Sequence, residues 1–137
     1  MAFKHYLREM DEVRFNALNE FVFDLMFFAV QVHAWHLQTG SYAAHIALND
    51  LYDALPDLAD GIAEAIIGTN RKLTVPTKPY TFIPDNAADI NGIVAAIDSF
   101  KARASQFITN DEVGIANTLG DIVTLFDSTI YKLKNLK

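Results

Sequence analysis

From Met10 to Gln38 the chain runs MDEVRFNALNEFVFDLMFFAVQVHAWHLQ, with no Gly or Pro to interrupt it and Gly40 just beyond to stop it. That predicts one long helix. Its middle is the difficulty: Phe21, Val22, Phe23, Leu25, Met26, Phe27 and Phe28 put apolar groups on more than one face. A helix on the surface of a globule shows one apolar stripe, whereas one apolar on several sides must be covered on several sides. The cover comes from the other helices of one bundle, or in part from another subunit.

The rest of the chain supplies the covering helices. A second helix is predicted from Ser41 to Ile67, stopped at Gly68, with Pro56 inside it. A proline there removes one backbone hydrogen bond and crowds the preceding turn, so a kink is expected rather than a break. Residues 69–86, TNRKLTVPTKPYTFIPDN, hold three prolines and no helical period. They read as a long connection, not a domain linker, since neither flank has enough chain for its own core. A third helix follows from Ala87 to Ile108. A fourth, capped by Asn110 or Asp111, runs to the C-terminus, where Lys132, Lys134 and Lys137 oppose the negative end of its dipole.

The expected fold is therefore all-α, a single helical domain over residues 1–137. A tight turn leaves helices one and two antiparallel, and the long crossover lets helices two and three run parallel. This is the connectivity of a ferritin-like four-helix bundle.

Composition narrows the chemistry. Hydrophobic residues make up 51% of the chain, enough for a real core, and cysteine is absent, which removes disulfides, thiolate metal sites and cysteine nucleophiles. The net charge of −6 carries no basic block, so direct nucleic-acid binding is not expected. The polar start lacks a signal-peptide core, and the greasiest run, Phe21–Val32, is too short for a bilayer and holds Asp24. No membrane association is expected, and the location reads as cytoplasmic.

Three of the four histidines fall between His33 and His45. His33 and His36 are three apart near the end of the first helix, and His45 lies one turn into the second. On that second helix His45, Asn49, Asp53, Asp60 and Glu64 share an arc of roughly 100°. Imidazole with carboxylate and no sulfur suits iron, manganese or zinc, and carboxylates allow a two-metal site. Asp121 reads as a buried polar anchor or a further ligand, Trp35 and Tyr42 as packing residues, and His5 as solvent-exposed.

The segment HAWHLQTG, then His45, then Asp60-Gly-Ile-Ala-Glu64, resembles the core of the Dps-type mini-ferritins. DEVGIANTLGDIVTLFDSTIYKLKNL is similar to that family's last helix. The resemblance implies a ferritin-like bundle that binds and oxidises iron, storing it and removing peroxide, at a site between two subunits. It implies His33, His36, His45, Asp60 and Glu64 as the candidate metal ligands. Iron is the implied cofactor, with manganese and zinc as the other ions the donors suit, and self-association as a dimer or cage is implied with it. The pattern departs from the family in four places, one of them the crossover, whose prolines leave no clear short helix of the kind mini-ferritins place there. The turn before His45 is short, so matching the His-x-x-His pair selects His36, while counting back from His45 selects His33. Asn49 stands where the family has an acidic ligand, and the Lys-rich DNA-binding tail is missing.

The core HLQTGSYAAHIALNDLYDALPDL is also similar to small proteins of tailed phages that carry a His…Thr-x-Ser-Tyr-x-x-His pattern. That likeness implies the alternative: a phage-encoded bundle in the host cytoplasm with a degenerate or metal-free site, acting as an oligomeric structural or interaction protein.

Overall fold

The computed structural model describes residues 2–84 and 89–136, with side chains from residue 12 onward. Four helices account for the regular structure of the described residues: α1 (Ala2–Gln38), α2 (Tyr42–Ile67), α3 (Ile90–Gln106) and α4 (Val113–Asn135). α1 begins well ahead of the predicted Met10. The stretch AFKHYLREM contains no helix breaker and is rich in residues that favour helix, so nothing local stops the helix there. His5 lies outside the residues whose side chains are described, as does Lys137.

Each boundary has a local cause. Ser41 sits in extended backbone and its hydroxyl accepts from the Ala44 N–H at 3.2 Å, starting α2. α2 runs as one element through Pro56 and ends at Gly68, which keeps right-handed geometry; Asn70 is the residue that turns left-handed, at φ 65°. The predicted start of α3 at Ala87 falls among residues 85–88, outside the described set. The helix is described from Ile90, with the Asp89 carboxylate accepting from Gly92 N–H at 2.7 Å. Its end comes before the predicted Ile108, because Phe107 and Ile108 bond three residues back and tighten the last turn.

The start of α4 corrects the predicted cap. Glu112, not Asn110 or Asp111, holds the cap position, and it makes no side-chain capping bond. Its carboxylate is committed elsewhere, to the Arg14 guanidinium of α1.

α1 packs on α2, α2 on α4 and α3 on α4. α1 and α3 meet through large aromatics. Phe28 stacks on Phe100 at 4.2 Å between centroids and meets Phe126 edge-on, while Phe21 lies against Phe107 at 5.3 Å. Arg14 of α1 donates to the Phe107 carbonyl at the end of α3, while Phe28, further along α1, meets Phe100, earlier in α3, so these two helices are antiparallel. Leu25, Leu51, Leu55, Ile97, Leu119 and Ile122 are wholly buried in the centre. Each stabilises the fold by roughly 1.5–3 kcal/mol relative to exposure.

The long connection is pinned to α1 along its length. Asn19 exchanges two hydrogen bonds with Thr74, at 2.7 and 2.8 Å. Lys78 pairs with Glu20, and Ile83 N–H donates to Gln31 Oε1 at 2.6 Å. Phe27 packs against Tyr80 and Phe82. A good part of the apolar excess of α1 is therefore covered by the connection rather than by a fourth helical neighbour.

Three expectations change. Asp121 is exposed, not a buried anchor: Leu119, Ile122 and Phe126 do face the core, but one residue from Ile122 is a rotation of about 100° away from it. Tyr42 is 80% exposed and packs against nothing in the core, whereas Trp35 is buried. The membrane argument from Phe21–Val32 also needs amending, because Glu12–Gln38 is long and apolar enough to cross a bilayer by length and composition. Half of its apolar 18-residue stretch is buried inside the bundle, and its Asp24 is ion-paired to two other elements, which gives it the character of a core helix.

Candidate metal site at the helical hairpin

The Gly40 turn brings the end of α1 against the start of α2 and sets His36 beside His45. The two rings stack at 3.6 Å between centroids, 21° from parallel. Their hydrogen bonds are reciprocal: His36 Nδ1 donates to the His45 carbonyl at 2.7 Å, and His45 Nδ1 donates to the His36 carbonyl at 2.9 Å. A carbonyl oxygen only accepts, so each Nδ1 must carry the proton. In the neutral ring the lone pair is then on Nε2. A backbone carbonyl that fixes the tautomer through one ring nitrogen is the usual support of a metal-binding histidine.

His33, one turn earlier, is exposed and stacks flat on Tyr52 at 4.1 Å and 11°. Tyr52 also meets His36 edge-on at 5.1 Å. Its hydroxyl donates to Asn49 Oδ1 at 2.9 Å, and Asn49 Nδ2 donates to Asp53 Oδ2 at 3.1 Å. The Asp53 carboxylate cannot donate, so the amide orientation is fixed. Asn49 is a relay between a phenol and a carboxylate, a task an aspartate could not perform.

Asp60 and Glu64 lie elsewhere. Both are exposed, one turn apart on α2, and Asp60 lines an open groove with Met26, Pro56 and Ala63. From His45 to Asp60 is fifteen residues of helix, about 22 Å at 1.5 Å per residue. The structure thus brings His33, His36 and His45 together and leaves Asp60 and Glu64 far from them. Among the described residues no group of three or more His, Asp or Glu side chains is close enough to hold a metal ion. Within one chain the donors do not complete a site.

Tyr52 went unnoticed in the sequence, although its spacing of seven from His45 puts it on nearly the same face of α2. A second polar cluster was missed altogether. Asp24, 8% exposed, accepts from Tyr80 at 2.8 Å, from Lys78 at 2.8 Å and from Arg103 at 2.8 Å. Burial alone would raise its pKa, but the bonds from Lys78, Tyr80 and Arg103 outweigh that and hold the carboxyl below its usual 3.8. The Tyr80 phenol is pushed up to about 12, first by burial and then by its bond to the Asp24 carboxylate. The signal was present: a lone carboxylate in an apolar run needs a cationic partner, and the Lys-Pro-Tyr of the connection is one of few candidates.

Comparison with known proteins places this hairpin. Residues 36–133 match a family described as "Family of unknown function (DUF5856)". The match takes in most of the chain, and the chain belongs to that family. It is also similar to the "Uncharacterized 14.6 kDa protein in mobD-ri intergenic region" of Enterobacteria phage T4. The two are 27% identical over 115 residues, covering 84% of this chain and 86% of the phage protein. No solved structure matches the chain. The likeness to a tailed-phage protein is thus supported, while the mini-ferritin likeness rests on the hairpin, second-helix and last-helix residues of the sequence alone.

Proposed function

We propose that this member of the family is a ferritin-like bundle that pairs with a second copy through its α1–α2 face and binds a divalent transition metal there. The observation that carries the reading is the reciprocal His36–His45 pair, whose Nδ1 protons are locked onto carbonyls and whose Nε2 lone pairs remain for a ligand. The histidines of one copy would be completed by Asp60 and Glu64 of the other. A two-fold pairing that runs the hairpins in opposite directions brings one copy's histidine end to the other's carboxylate end. The exposed Met26, which lines the groove that holds Asp60, and the exposed Val30 one turn along α1 give such a face its apolar contact.

Iron is the cargo the donor set and the mini-ferritin resemblance select, with manganese and zinc as the other ions that fit imidazole and carboxylate. Ferrous iron bound there would lose an electron to oxygen or peroxide and be left as ferric product. Asn49 favours the second reading, a bundle that associates without metal, because its amide is already committed to Tyr52 and Asp53.

Anaerobic titration with ferrous iron, with the mass in solution measured alongside, separates the two. The metal reading expects stoichiometric binding by a dimer or larger assembly that is lost in a His45→Ala, Glu64→Ala double variant. A self-associated protein that takes up no iron supports the second reading, and a monomer that takes up none overturns both.

A further inference from the structure

We infer that the groove between α1 and α2 docks a basic amphipathic helix of a partner protein, which lays its apolar stripe along α1 and a row of Lys or Arg along α2. Two stripes on this face carry the inference. Met26, Val30, His33 and Leu37 of α1 are exposed and follow one another at intervals of four, three and four residues. Asp53, Asp57, Asp60 and Glu64 of α2 repeat the same intervals and are exposed as well. That spacing presents a straight seam to a helix lying nearly parallel to it. Each stripe is about 17 Å long, or three turns.

The stripes border one groove. Val22 and Met26 form its α1 wall, and Pro56, Asp57 and Asp60 stand on its α2 side. Further along, His33 stacks on Tyr52 and keeps the two helices side by side. The short side chains of Ala59 and Ala63 also line the groove, so a third helix can approach closely.

Charge selects the occupant. α2 holds five carboxylates and no Lys or Arg, in a chain whose net charge is −6. Asp50 has Lys132 at 3.7 Å and Asp53 has the Asn49 amide. Among the described residues no Lys or Arg pairs with Asp57, Asp60 or Glu64. A second copy laid on the groove brings no answering cation. Arg14 is the one Lys or Arg among the described side chains of α1 and α2, and Glu112 holds it. A helix with apolar residues at the same spacing and cations along one flank satisfies both stripes. Metal bridging the histidines of one copy to Asp60 and Glu64 of another would close the face. Docking of the helix therefore belongs to the metal-free chain and does not depend on the metal reading.

The test is fluorescence anisotropy in chelator with a labelled model helix of Leu at this spacing, Lys along one flank and Ala elsewhere. Its controls are the same helix with Glu for Lys and a peptide of the same composition in shuffled order. The basic helix should bind saturably, one per chain, and more weakly as salt is added. Both controls should bind at least about tenfold more weakly. An Asp57→Asn, Asp60→Asn, Glu64→Gln variant should lose about tenfold in affinity, and Val30→Ser should weaken binding through lost apolar burial. A charge-matched Asp98→Asn, Asp111→Asn, Asp121→Asn variant should bind as the wild type does. No saturable binding, equal binding of the shuffled peptide, full affinity in Val30→Ser or equal loss in the two triple variants overturns the inference. So does a chain that stays dimeric by mass in chelator and excludes the helix, which gives the face to a second copy. Every arm is run without metal, so failure of the metal site leaves these results unchanged.

Discussion

Replacing Asp24 by Asn tests what holds the connection to the bundle. The substitution keeps the shape and one acceptor oxygen for Tyr80, but it removes the charge that Lys78 and Arg103 share. Breaking a fully buried ion pair by deleting one partner costs about 3–5 kcal/mol, mostly from the charge left behind. Here the cations are not trapped: the side chains of Arg103 and Lys78 are 36% and 41% exposed, and both can turn to water. Discounting for that screening leaves about 2 kcal/mol. For a chain of this length, that corresponds to a fall in Tm of about 8 °C.

The pH dependence makes the prediction specific. The folded-state pKa of Asp24 lies below the unfolded value, so between the two the unfolded chain binds the extra proton. The stabilisation is complete above the unfolded pKa and is lost as the pH falls through the folded one. Urea melts of wild type and Asp24→Asn should therefore differ by about 2 kcal/mol at pH 6. The gap should narrow steadily below about pH 4, where the wild-type carboxyl becomes neutral as well. A gap of the same size at pH 6 and pH 3 would show that the amide's fit, not the charge, was responsible. No gap at pH 6 would refute the network as a source of stability.

Three further outcomes check other parts of the structure. Ser41→Ala removes the hydroxyl that caps α2 and should cost about 1 kcal/mol in chemical denaturation. Gly120→Ala should raise stability by about 0.5–1 kcal/mol, since it lies inside α4 and a Cβ there meets nothing within 4 Å. In an absorbance titration at 295 nm, the step lost on Tyr80→Phe should be centred near pH 12. Because the raised pKa favours the neutral phenol in the folded state, its stabilising effect is present below pH 10 and fades as the pH rises through 12.

The helices were legible because their signals are local. An uninterrupted run, a serine before an apolar period and a proline-rich gap each act within a few residues. The boundaries that moved were set by partners far along the chain. Glu112 displaced the expected cap residues and gives up a capping bond because its carboxylate goes to Arg14, a choice no window around residue 112 could reveal. Asp24 looked like an interruption in an apolar run. Its meaning depends on Lys78, Tyr80 and Arg103, which only the folded chain brings beside it. The histidines were legible as a group through helix periodicity and the short turn. The reciprocal hydrogen bonds from each Nδ1–H to the other's carbonyl depend on the exact approach of two backbones, which spacing does not encode.

Asn49 shows how the site and the fold constrain each other. In the mini-ferritin pattern the position is acidic, yet here an acid would place a carboxylate 3.1 Å from Asp53 in place of a hydrogen bond. Like charges one helical turn apart repel by about 0.2–0.5 kcal/mol, and the lost bond adds about 1 kcal/mol. Asn49→Asp should therefore lower stability by about 1.5 kcal/mol without metal, read from urea denaturation in chelator. If the hairpin holds a divalent ion as proposed, the same variant should gain more stability from added ferrous or zinc ion than the wild type does, because the cation screens the new pair and gains a donor. An equal response from both proteins would mean that position 49 does not face bound metal. The asparagine would then be explained by Tyr52 and Asp53 alone.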